Sequence, residues 1–489
     1  MKLKSEKTTG TMVVWTLAIV ALLRLLTLGL YPLTDTTEAR YAEVARKMVE
    51  LGDWITPWYD YGVPFWAKPP LSTWLTAASL KIFGVNEFAA RLPYFLLAVL
   101  IAWLVWDWAR RWSKREALLA VAVMSGTMLY FIASAAVMTD MALVLGTTLA
   151  MRGFWAAFER ADAPRPREGW LLFIGLGLGL LAKGPIALVL AGIPIFLWTV
   201  FTGNIVHAWK RLPWIRGILL MLAIAVPWYW MAEQRTPGFW EYFFIGEHWK
   251  RFTVTGWAGD KYGTAHATAR GAIWLLAVAA CLPWTLLLPL LAFGREKALL
   301  RRGQAGLPAH AGKQTAPGSW RLYLLAWSIA PCLFFTMSGN ILWTYVLPAL
   351  PALALLAAGW LAGDVRTRRV DVFVSVGVVV MASLIAAFFI NQQRVDSWKT
   401  AKAAVAAYEL RKTGAQPLLF MGDLPYSASF YSQGKAKAVA GNTELAERLK
   451  QGGVFVALNP DQVKELSPEL KGLLRLQATS GAYNLYAHP

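Results

Sequence analysis

The feature that most constrains this chain is a series of long apolar segments. Runs of about 17–24 apolar residues recur along it, and each is long enough for a helix to cross the ~30 Å hydrocarbon layer of a bilayer. Of the 489 residues, 57% are hydrophobic and only 16% are charged, whereas soluble domains carry about 25% charged residues. A transmembrane barrel would show alternating segments of about ten residues instead. The sequence therefore predicts an α-helical polytopic membrane protein, with about eleven spans and an upper limit of about thirteen.

The loops between these spans indicate how the chain is oriented. The predicted spans lie near 11–31, 88–108, 116–136, 139–158, 169–183, 185–203, 213–232, 270–293, 321–338, 341–361 and 370–390. If the N-terminus is cytoplasmic, every basic loop cluster falls on the cytoplasmic side, as the positive-inside rule requires. The clusters are Arg110, Arg111, Lys114 and Arg115; Arg160, Arg165 and Arg167; Lys210 and Arg211; Arg295, Lys297, Arg301 and Arg302; and Arg366, Arg368 and Arg369. This bias accounts for most of the net charge of +19, so no nucleic-acid partner is expected.

Two loops and the tail then face the outside. The loops are 32–87 and 233–269, and they belong to a membrane domain over 1–390. In the first loop, Thr37–Leu51 has the pattern of an amphipathic helix at the membrane interface, and Leu71–Phe83 forms a second helix too short to span.

The tail, 391–489, alternates strand-like and helix-like stretches, which predicts a small α/β domain. Strands are expected at 417–422, 437–440, 454–458 and 483–487, and a helix at 443–453.

Acidic residues with functional potential occur at the outer ends of two spans. Asp35 and Glu38 follow the first span directly, and Glu38 shares a helical face with Tyr41. Asp140 stands at the head of another span, where an ionisable side chain is costly unless it faces water or a partner. The alternatives are a solvated interfacial helix for the first pair and a helix N-cap for Asp140.

Cations occur at the same depth. Lys68 in "FWAKPPLSTW" and Lys183 in "LGLLAKGPIAL" are isolated in apolar surroundings. Either one could extend to lipid headgroups instead. Together with the acids they indicate a site for a phosphate or pyrophosphate.

The segment "GEHWKRF" brings Glu247, His248, Lys250 and Arg251 together. A Glu-His pair is a weak candidate for a divalent metal site, since adjacent residues seldom share one ion, and a solvated loop is an equally good interpretation.

These segments together resemble the GT-C glycosyltransferases, and among them the aminoarabinose transferase and protein mannosyltransferase superfamily. The similarity rests on residues 38–58, 68–74 and 86–97, and continues through the segments of Asp140, Lys183 and Arg251 to 344–356. It covers about the first 360 residues, and the first block is the most specific. The resemblance implies sugar transfer from an undecaprenyl-phosphate-linked donor to an acceptor such as lipid A, at the periplasmic face of a bacterial inner membrane.

The resemblance also implies roles for residues. The family's first motif supplies a catalytic acid, often an Asp-Glu pair, where this chain has Thr37 and Glu38; Asp35 is hypothesised to replace the missing acid. Ala67 replaces another acid, and Asn340 lies where many relatives have lysine. The catalytic candidates are Asp35, Glu38 and Asp140, and the donor-phosphate candidates are Arg40, Tyr41, Lys68, Lys183, Arg251 and Tyr345.

In this scheme the cations stabilise the departing phosphate and a carboxylate orients or deprotonates the acceptor, so that a single displacement inverts the anomeric centre. The expected partners are the polyprenyl-phosphate sugar, a lipid or glycan acceptor and membrane lipids. No cofactor is certain, and a divalent metal at Glu247 and His248 is left open. Two alternatives also stay open. A flippase or transporter would place its polar residues near the bilayer midplane, and an oligosaccharide polymerase or ligase would share the topology.

Overall fold

The computed structural model describes residues 10–158, 166–263, 267–289, 317–364, 367–394 and 398–489. The predicted loop residues Arg160, Arg165, Arg295, Lys297, Arg301, Arg302 and Arg366 lie outside these ranges. In the membrane part, the α-helices are Thr11–Leu26, Thr37–Leu51, Leu71–Phe83, Glu87–Ala109, Lys114–Ser125, Met128–Ala133, Asp140–Ala156, Pro166–Lys183, Ile186–Phe201, Ile205–Arg211, Trp214–Arg235, Arg251–Thr253, Ala272–Ala280, Pro317–Phe335, Leu350–Ala362 and Thr367–Arg394. A π-helix at Glu241–Lys250, a 3-10 helix at Trp343–Ala349 and a hairpin of β1 (Trp58–Asp60) and β2 (Val63–Pro64) complete this part.

Several of these helices have the length and apolar character of membrane spans. Four are long enough by themselves: Glu87–Ala109, Trp214–Arg235, Trp343–Ala362 and Thr367–Gln393. Shorter apolar helices are Thr11–Leu26, Ile186–Phe201 and Ser319–Phe335. The helical membrane architecture expected from the sequence is thus present in the described residues, and the number of spans stays a prediction.

The predicted span 116–136 is wrong as one continuous helix. Helix Lys114–Ser125 ends at Gly126, and Thr127 is extended before the next helix begins. A Cβ at Gly126 would lie 2.9 Å from the ring of Trp284, whose Nε1 donates to the carbonyl of Val123 at 2.6 Å. The chain therefore turns where a tryptophan from another segment occupies the space of the next helical turn.

Small residues bring two helices of the functional site into close contact. Asp140–Ala156 and Pro166–Lys183 pack so closely that a Cβ on Gly146 would lie 2.7 Å from the carbonyl oxygen of Gly175. A Cβ on Gly153 would collide with the backbone of Leu172. Such small-residue contacts let helix backbones approach closely in membrane proteins. As a result, the start of the first helix is held beside the end of the second.

The first-loop helix has the predicted bounds but not the predicted surroundings. Its charged residues Glu43, Arg46 and Lys47 are all buried. Arg46 forms an ion pair with Glu43 at 2.7 Å, and Lys47 donates to the carbonyl of Tyr59 at 2.8 Å. An amphipathic surface helix would expose this polar face. Here protein covers it, and the ion pairs compensate for the burial.

The C-terminal region forms an α/β domain. Its strands are β3 (Leu418–Met421), β4 (Lys437–Val439), β5 (Val454–Leu458), β6 (Arg475–Ser480) and β7 (Tyr483–His488), and its helices are Lys402–Arg411, Tyr426–Tyr431, Asn442–Leu449, Pro460–Glu465 and Pro468–Leu473. The sheet order is β4-β3-β5-β7-β6, with β4, β3 and β5 parallel and the β5-β7-β6 pairs antiparallel. All four predicted strands and the predicted helix are present, whereas β6 was not predicted.

Polar contacts attach this domain to the first loop. The hydroxyl of Tyr431 accepts from the Leu33 N–H at 2.7 Å and donates to Glu87 at 2.9 Å. Lys402 forms an ion pair with Glu87 at 2.5 Å, and the hydroxyls of Tyr426 and Tyr59 are hydrogen-bonded. The α/β domain therefore covers the loop that carries the first sequence motif.

Candidate active site

Asp140 and Lys183 form an ion pair where the start of helix Asp140–Ala156 meets the end of helix Pro166–Lys183. Lys183 Nζ lies 2.5 Å from Asp140 Oδ1 and 4.6 Å from the ring centroid of Tyr345. Asp140 is the first residue of its helix, and Thr139 occupies the cap position. The "AKGP" turn depends on Gly184, which has φ +87° and whose added Cβ would lie 2.6 Å from Phe243. Only glycine meets both requirements.

A second group of charges is centred on Glu247. This carboxylate is almost fully buried and pairs with Lys68 at 2.9 Å and with Arg251 at 3.0 Å. Arg251 also lies 3.3 Å from Asp260. Burial alone would raise the pKa of Glu247, but Lys68 and Arg251 outweigh it and hold the pKa below its ordinary value. Lys68 is thus directed at a carboxylate and not at lipid headgroups.

Backbone contacts join the two groups. His248 Nε2 lies 3.3 Å from the carbonyl oxygen of Lys183, and the Asn340 side chain donates to the carbonyl of Arg251 at 3.3 Å. Five chain segments that are distant in sequence therefore meet here. We call this set the outer cluster; it contains Lys68, Asp140, Lys183, Glu247, Arg251, Asp260 and Tyr345.

The first-loop helix adds Arg40 and Tyr41 beside this cluster. Arg40 donates to the carbonyl of Tyr262 and stacks over the rings of Tyr41, at 5.4 Å, and Tyr426, at 5.9 Å. Burial lowers the pKa of Arg40, but the neighbouring tyrosines raise it by more, so the net shift is upward. The guanidinium of Arg40 therefore stays charged at the carbonyl of Tyr262, two residues after Asp260 of the outer cluster.

Glu38 is engaged by a residue that the sequence analysis did not select. Both of its oxygens accept from the fully buried Arg91, at 3.0 and 2.8 Å. Glu38 also accepts the N–H of Val137 at 3.1 Å, three residues before Asp140. Arg91 donates further to the carbonyls of Leu28, Tyr31 and Pro32. An arginine among apolar residues at the start of a span was the available signal.

Asp35 points elsewhere. Its two oxygens accept the N–H of Ser427, at 3.0 Å, and the Ser427 hydroxyl, both in the C-terminal domain. These contacts do not reach Asp140, Lys68 or Lys183. Burial raises the pKa of Asp35, although the bonds from Ser427 oppose the shift. The structure therefore connects Asp35 with domain docking and Glu38 with the site.

The two residues proposed as metal ligands, Glu247 and His248, do not direct their side chains to a common position. Glu247 faces Lys68 and Arg251, whereas His248 contacts the carbonyl oxygens of Phe243, at 2.8 Å, and Lys183. Within the described ranges, no group of three His, Cys, Asp or Glu side chains is arranged to hold a metal ion.

Comparison with known families gives one match for the first half of the chain. Residues 11–243 match the family model described as dolichyl-phosphate-mannose-protein mannosyltransferase. This segment contains Glu38, Lys68, Asp140 and Lys183, and it ends just before Glu247.

Curated relatives share more of the sequence. An undecaprenyl phosphate-alpha-4-amino-4-deoxy-L-arabinose arabinosyl transferase of Erwinia tasmaniensis is 31% identical over 347 residues, covering 69% of this chain and 57% of that protein. The protein of the same description from Edwardsiella ictaluri is 32% identical, covering 66% of this chain and 54% of its own length. The chain thus spans less than two thirds of the length of these relatives.

The fold is similar to that of a solved structure over nearly all of both chains. ArnT from Cupriavidus metallidurans bound to undecaprenyl phosphate aligns with a TM-score of 0.75 at 21% identity, covering 98% of this chain and 99% of that one. The apo form gives a TM-score of 0.74 at 22% identity. This likeness shows the fold. Together with the sequence matches it confirms the resemblance to the aminoarabinose transferase and protein mannosyltransferase superfamily.

Proposed function

We propose that this chain, which is related to the aminoarabinose transferases and protein mannosyltransferases, transfers a sugar from an undecaprenyl-phosphate-linked donor to a lipid or glycan acceptor. The observation that carries the proposal is the outer cluster, in which distant segments bring three cations and three carboxylates together at one end of apolar helices. The names of the relatives and the ligand of the similar structure support the donor class.

The charges suit cleavage of a glycosyl phosphate. As the acceptor oxygen attacks the anomeric carbon, the bond from that carbon to the phosphate oxygen breaks, and undecaprenyl phosphate leaves with the electron pair. Lys68, Arg251 and Arg40 would stabilise the charge on the leaving phosphate, since preorganised cations stabilise the charge that develops in the transition state. Direct displacement of this kind inverts the anomeric centre.

Asp140 is the carboxylate that we assign to the acceptor. It would take the proton of an attacking hydroxyl, while Lys183 fixes its orientation through the ion pair. An acceptor that is already an ionised phosphate would need positioning only. We assign Glu38 a positioning role, because Arg91 and the Val137 N–H engage its two oxygens.

The membrane placement belongs to the same proposal. We place the chain in a bacterial inner membrane with its N-terminus in the cytoplasm, which puts the outer cluster and the α/β domain on the periplasmic side. Lipid A is the acceptor that we propose at this location.

Two measurements test the proposal. The envelope lipids of a strain lacking this chain should lose one glycoform and accumulate one undecaprenyl phosphosugar, as detected by mass spectrometry. The purified chain in lipid nanodiscs should release undecaprenyl phosphate from that donor when the acceptor is present. Movement of the labelled donor between leaflets of vesicles without any release would instead support the flippase alternative.

A further inference from the structure

One short helix of the α/β domain binds the first loop through both of its ends. The helix begins with Tyr426 and ends with Tyr431. The Tyr431 hydroxyl donates to Glu87 at 2.9 Å, and the Tyr426 hydroxyl is hydrogen-bonded to that of Tyr59 in the β1–β2 hairpin. Tyr426 also lies against Arg40, so its role can be separated from docking of the domain.

Arg40 is held by groups from three parts of the chain. Its guanidinium lies 5.9 Å from the ring centroid of Tyr426 and 5.4 Å from that of Tyr41, and it donates to the carbonyl of Tyr262. Tyr41 is on the same helix as Arg40, whereas Tyr426 comes from the α/β domain. An aromatic ring within about 6 Å attracts a guanidinium. The position of this cation therefore depends on a side chain of the other domain.

Tyr262 connects Arg40 to the outer cluster. The Tyr262 N–H donates to the Asp260 carboxylate at 3.1 Å, and Asp260 lies 3.3 Å from Arg251. The Tyr262 hydroxyl accepts the N–H of Trp66 at 3.0 Å, two residues before a lysine of the outer cluster. Tyr262 is buried, and these bonds fix it on several sides. A shift of the Arg40 guanidinium away from this carbonyl is therefore also a shift relative to Arg251.

The position of Tyr426 is itself fixed, both at its backbone and at its hydroxyl. Next to it in the chain, Ser427 donates its N–H to Asp35 at 3.0 Å, and the Ser427 hydroxyl accepts the N–H of Ala401 at 2.8 Å. The Tyr426 hydroxyl is bonded to Tyr59, whose ring centroid lies 5.7 Å from that of Tyr426. A rigid support of this kind lowers the entropy that is lost when a ligand orders the neighbouring cation.

We infer that Tyr426 is a positioning residue of the α/β domain, which holds the Arg40 guanidinium where it meets the donor phosphate. The inference rests on the proposed function, in which Arg40 stabilises the leaving phosphate, and it extends the site into the α/β domain. In this scheme Tyr426 touches neither donor nor acceptor and acts through Arg40.

Removal of the Tyr426 ring tests the inference. In Tyr426→Leu, the full-length chain in nanodiscs should bind undecaprenyl phosphate with a Kd about threefold to tenfold higher, because loss of the cation–π contact frees Arg40. Tyr426→Phe keeps the ring and loses the bond to Tyr59, so its Kd should stay within about twofold of that of the unmodified chain. Tyr426→Met is a second substitution without a ring, and it takes the place of Tyr426→Leu in the comparison should that variant not fold.

The matched control is Tyr431→Leu, which removes a ring and a bonded hydroxyl from the other end of the same helix. Tyr431 bonds to Leu33 and Glu87 and thereby contributes to docking. Its replacement should lower the thermal midpoint and leave the Kd for undecaprenyl phosphate unchanged. Equal rises of Kd in Tyr431→Leu and Tyr426→Leu would show that loss of docking explains both, and would overturn the inference.

A double-mutant cycle tests whether Tyr426 acts through Arg40. Arg40→Gln should raise the Kd about tenfold or more, as expected when a hydrogen bond between charged groups is lost. Added to Arg40→Gln, the change Tyr426→Leu should raise the Kd by less than about twofold, because the effects of residues that act together are not additive. Full additivity would overturn the inference, since Tyr426 would then act independently of Arg40.

Failure of the inference and failure of the proposed function give different results. An unchanged Kd in Tyr426→Leu, in a chain that still releases undecaprenyl phosphate from its donor, overturns the inference alone. An unchanged Kd in Arg40→Gln removes Arg40 from the phosphate site and overturns the inference. No release from any donor, by an unmodified chain that binds undecaprenyl phosphate, overturns the proposed function and the inference with it.

Discussion

Both ends of the helix bundle contain ion pairs, but the two sets are built differently. Asp140 and Arg152 lie on one helix, and Glu168 and Lys183 on its neighbour, so each helix has one charge in each set. At 1.5 Å per residue, the two sets are about 18–22 Å apart along these helices. We call the far set the inner pairs: Asp107–Arg152, Arg111–Glu168 and Arg115–Asp371.

The inner pairs connect the ends of neighbouring helices, and all of their cations are arginines. Next to them, the rings of Trp108, Trp155 and Trp320 pack at 4.6–5.4 Å, so apolar contacts hold the same helices together. The outer cluster instead joins turns and helix ends from five segments and includes two lysines, and the side chains of His248 and Asn340 contact the backbone carbonyls of its Lys183 and Arg251. Ion pairs therefore occur both in the structural end and in the candidate site, and the convergence of five chain segments is what distinguishes the outer cluster.

The largest effect is expected from Asp140→Asn. The asparagine side chain can still accept a hydrogen bond from Lys183, so the fold should persist. Asparagine cannot, however, take a proton from the acceptor or carry the negative charge. General base catalysis typically contributes about 10²–10⁴-fold to the rate, so kcat should fall by roughly that factor. The measurement is donor turnover, with undecaprenyl phosphate binding and the thermal midpoint as controls.

The matched variant at the inner end is Asp107→Asn, which removes the same charge from its pair with Arg152. It should lower stability and leave kcat near that of the unmodified chain. Normal turnover in Asp140→Asn would show that Asp140 has no part in catalysis. Equal losses of kcat in both variants would contradict the functional difference between the outer cluster and the inner pairs.

Lys68→Ala should act on donor binding. A hydrogen bond to a charged group contributes about 1.5–3 kcal/mol, which corresponds to roughly a 10–100-fold rise in Kd for undecaprenyl phosphate. Acceptor affinity should stay constant. Arg111→Ala removes a cation from an inner pair and should change neither affinity. An unaltered donor Kd in Lys68→Ala would exclude this lysine from the phosphate site.

Arg91→Lys tests positioning from outside the outer cluster. Lysine keeps the charge but cannot bond both oxygens of Glu38 and three carbonyls at once. We expect kcat to fall about tenfold at unchanged donor Kd. In combination with Glu38→Gln, the two effects should be non-additive, by about 1 kcal/mol or more. Additive effects would make Arg91 a purely structural residue.

The sequence predicted these helices and strands well, because hydrophobic periodicity and the residues that end a helix are local properties of the chain. Thr37–Leu51, Leu71–Phe83 and four strands of the C-terminal sheet lie where the pattern placed them. The break at Gly126 was missed because its cause, Trp284, lies far along the chain. Pairings are non-local in the same way. The sequence offers Asp35 and Glu38 alike as catalytic candidates, and only tertiary contacts direct Asp35 to Ser427 and Glu38 to Arg91.

Because Asp35 contacts the C-terminal domain and not the outer cluster, we expect Asp35→Asn to have the smallest effect on activity. Burial raises the folded-state pKa of Asp35 above its ordinary value of 3.8, so the folded chain binds this proton more tightly than the unfolded chain. Its contribution to the free energy of unfolding is therefore largest below pH 3.8, falls as the pH rises through the raised pKa, and is constant above it.

Asparagine removes this dependence and can still accept the N–H of Ser427. The thermal midpoint of Asp35→Asn at neutral pH should thus equal or slightly exceed that of the unmodified chain, with kcat unchanged. Thermal unfolding from pH 3 to pH 8, with a parallel turnover assay, measures both quantities. A large loss of kcat at an intact midpoint would return Asp35 to the catalytic set, and would show that docking of the α/β domain and the outer cluster act as one unit.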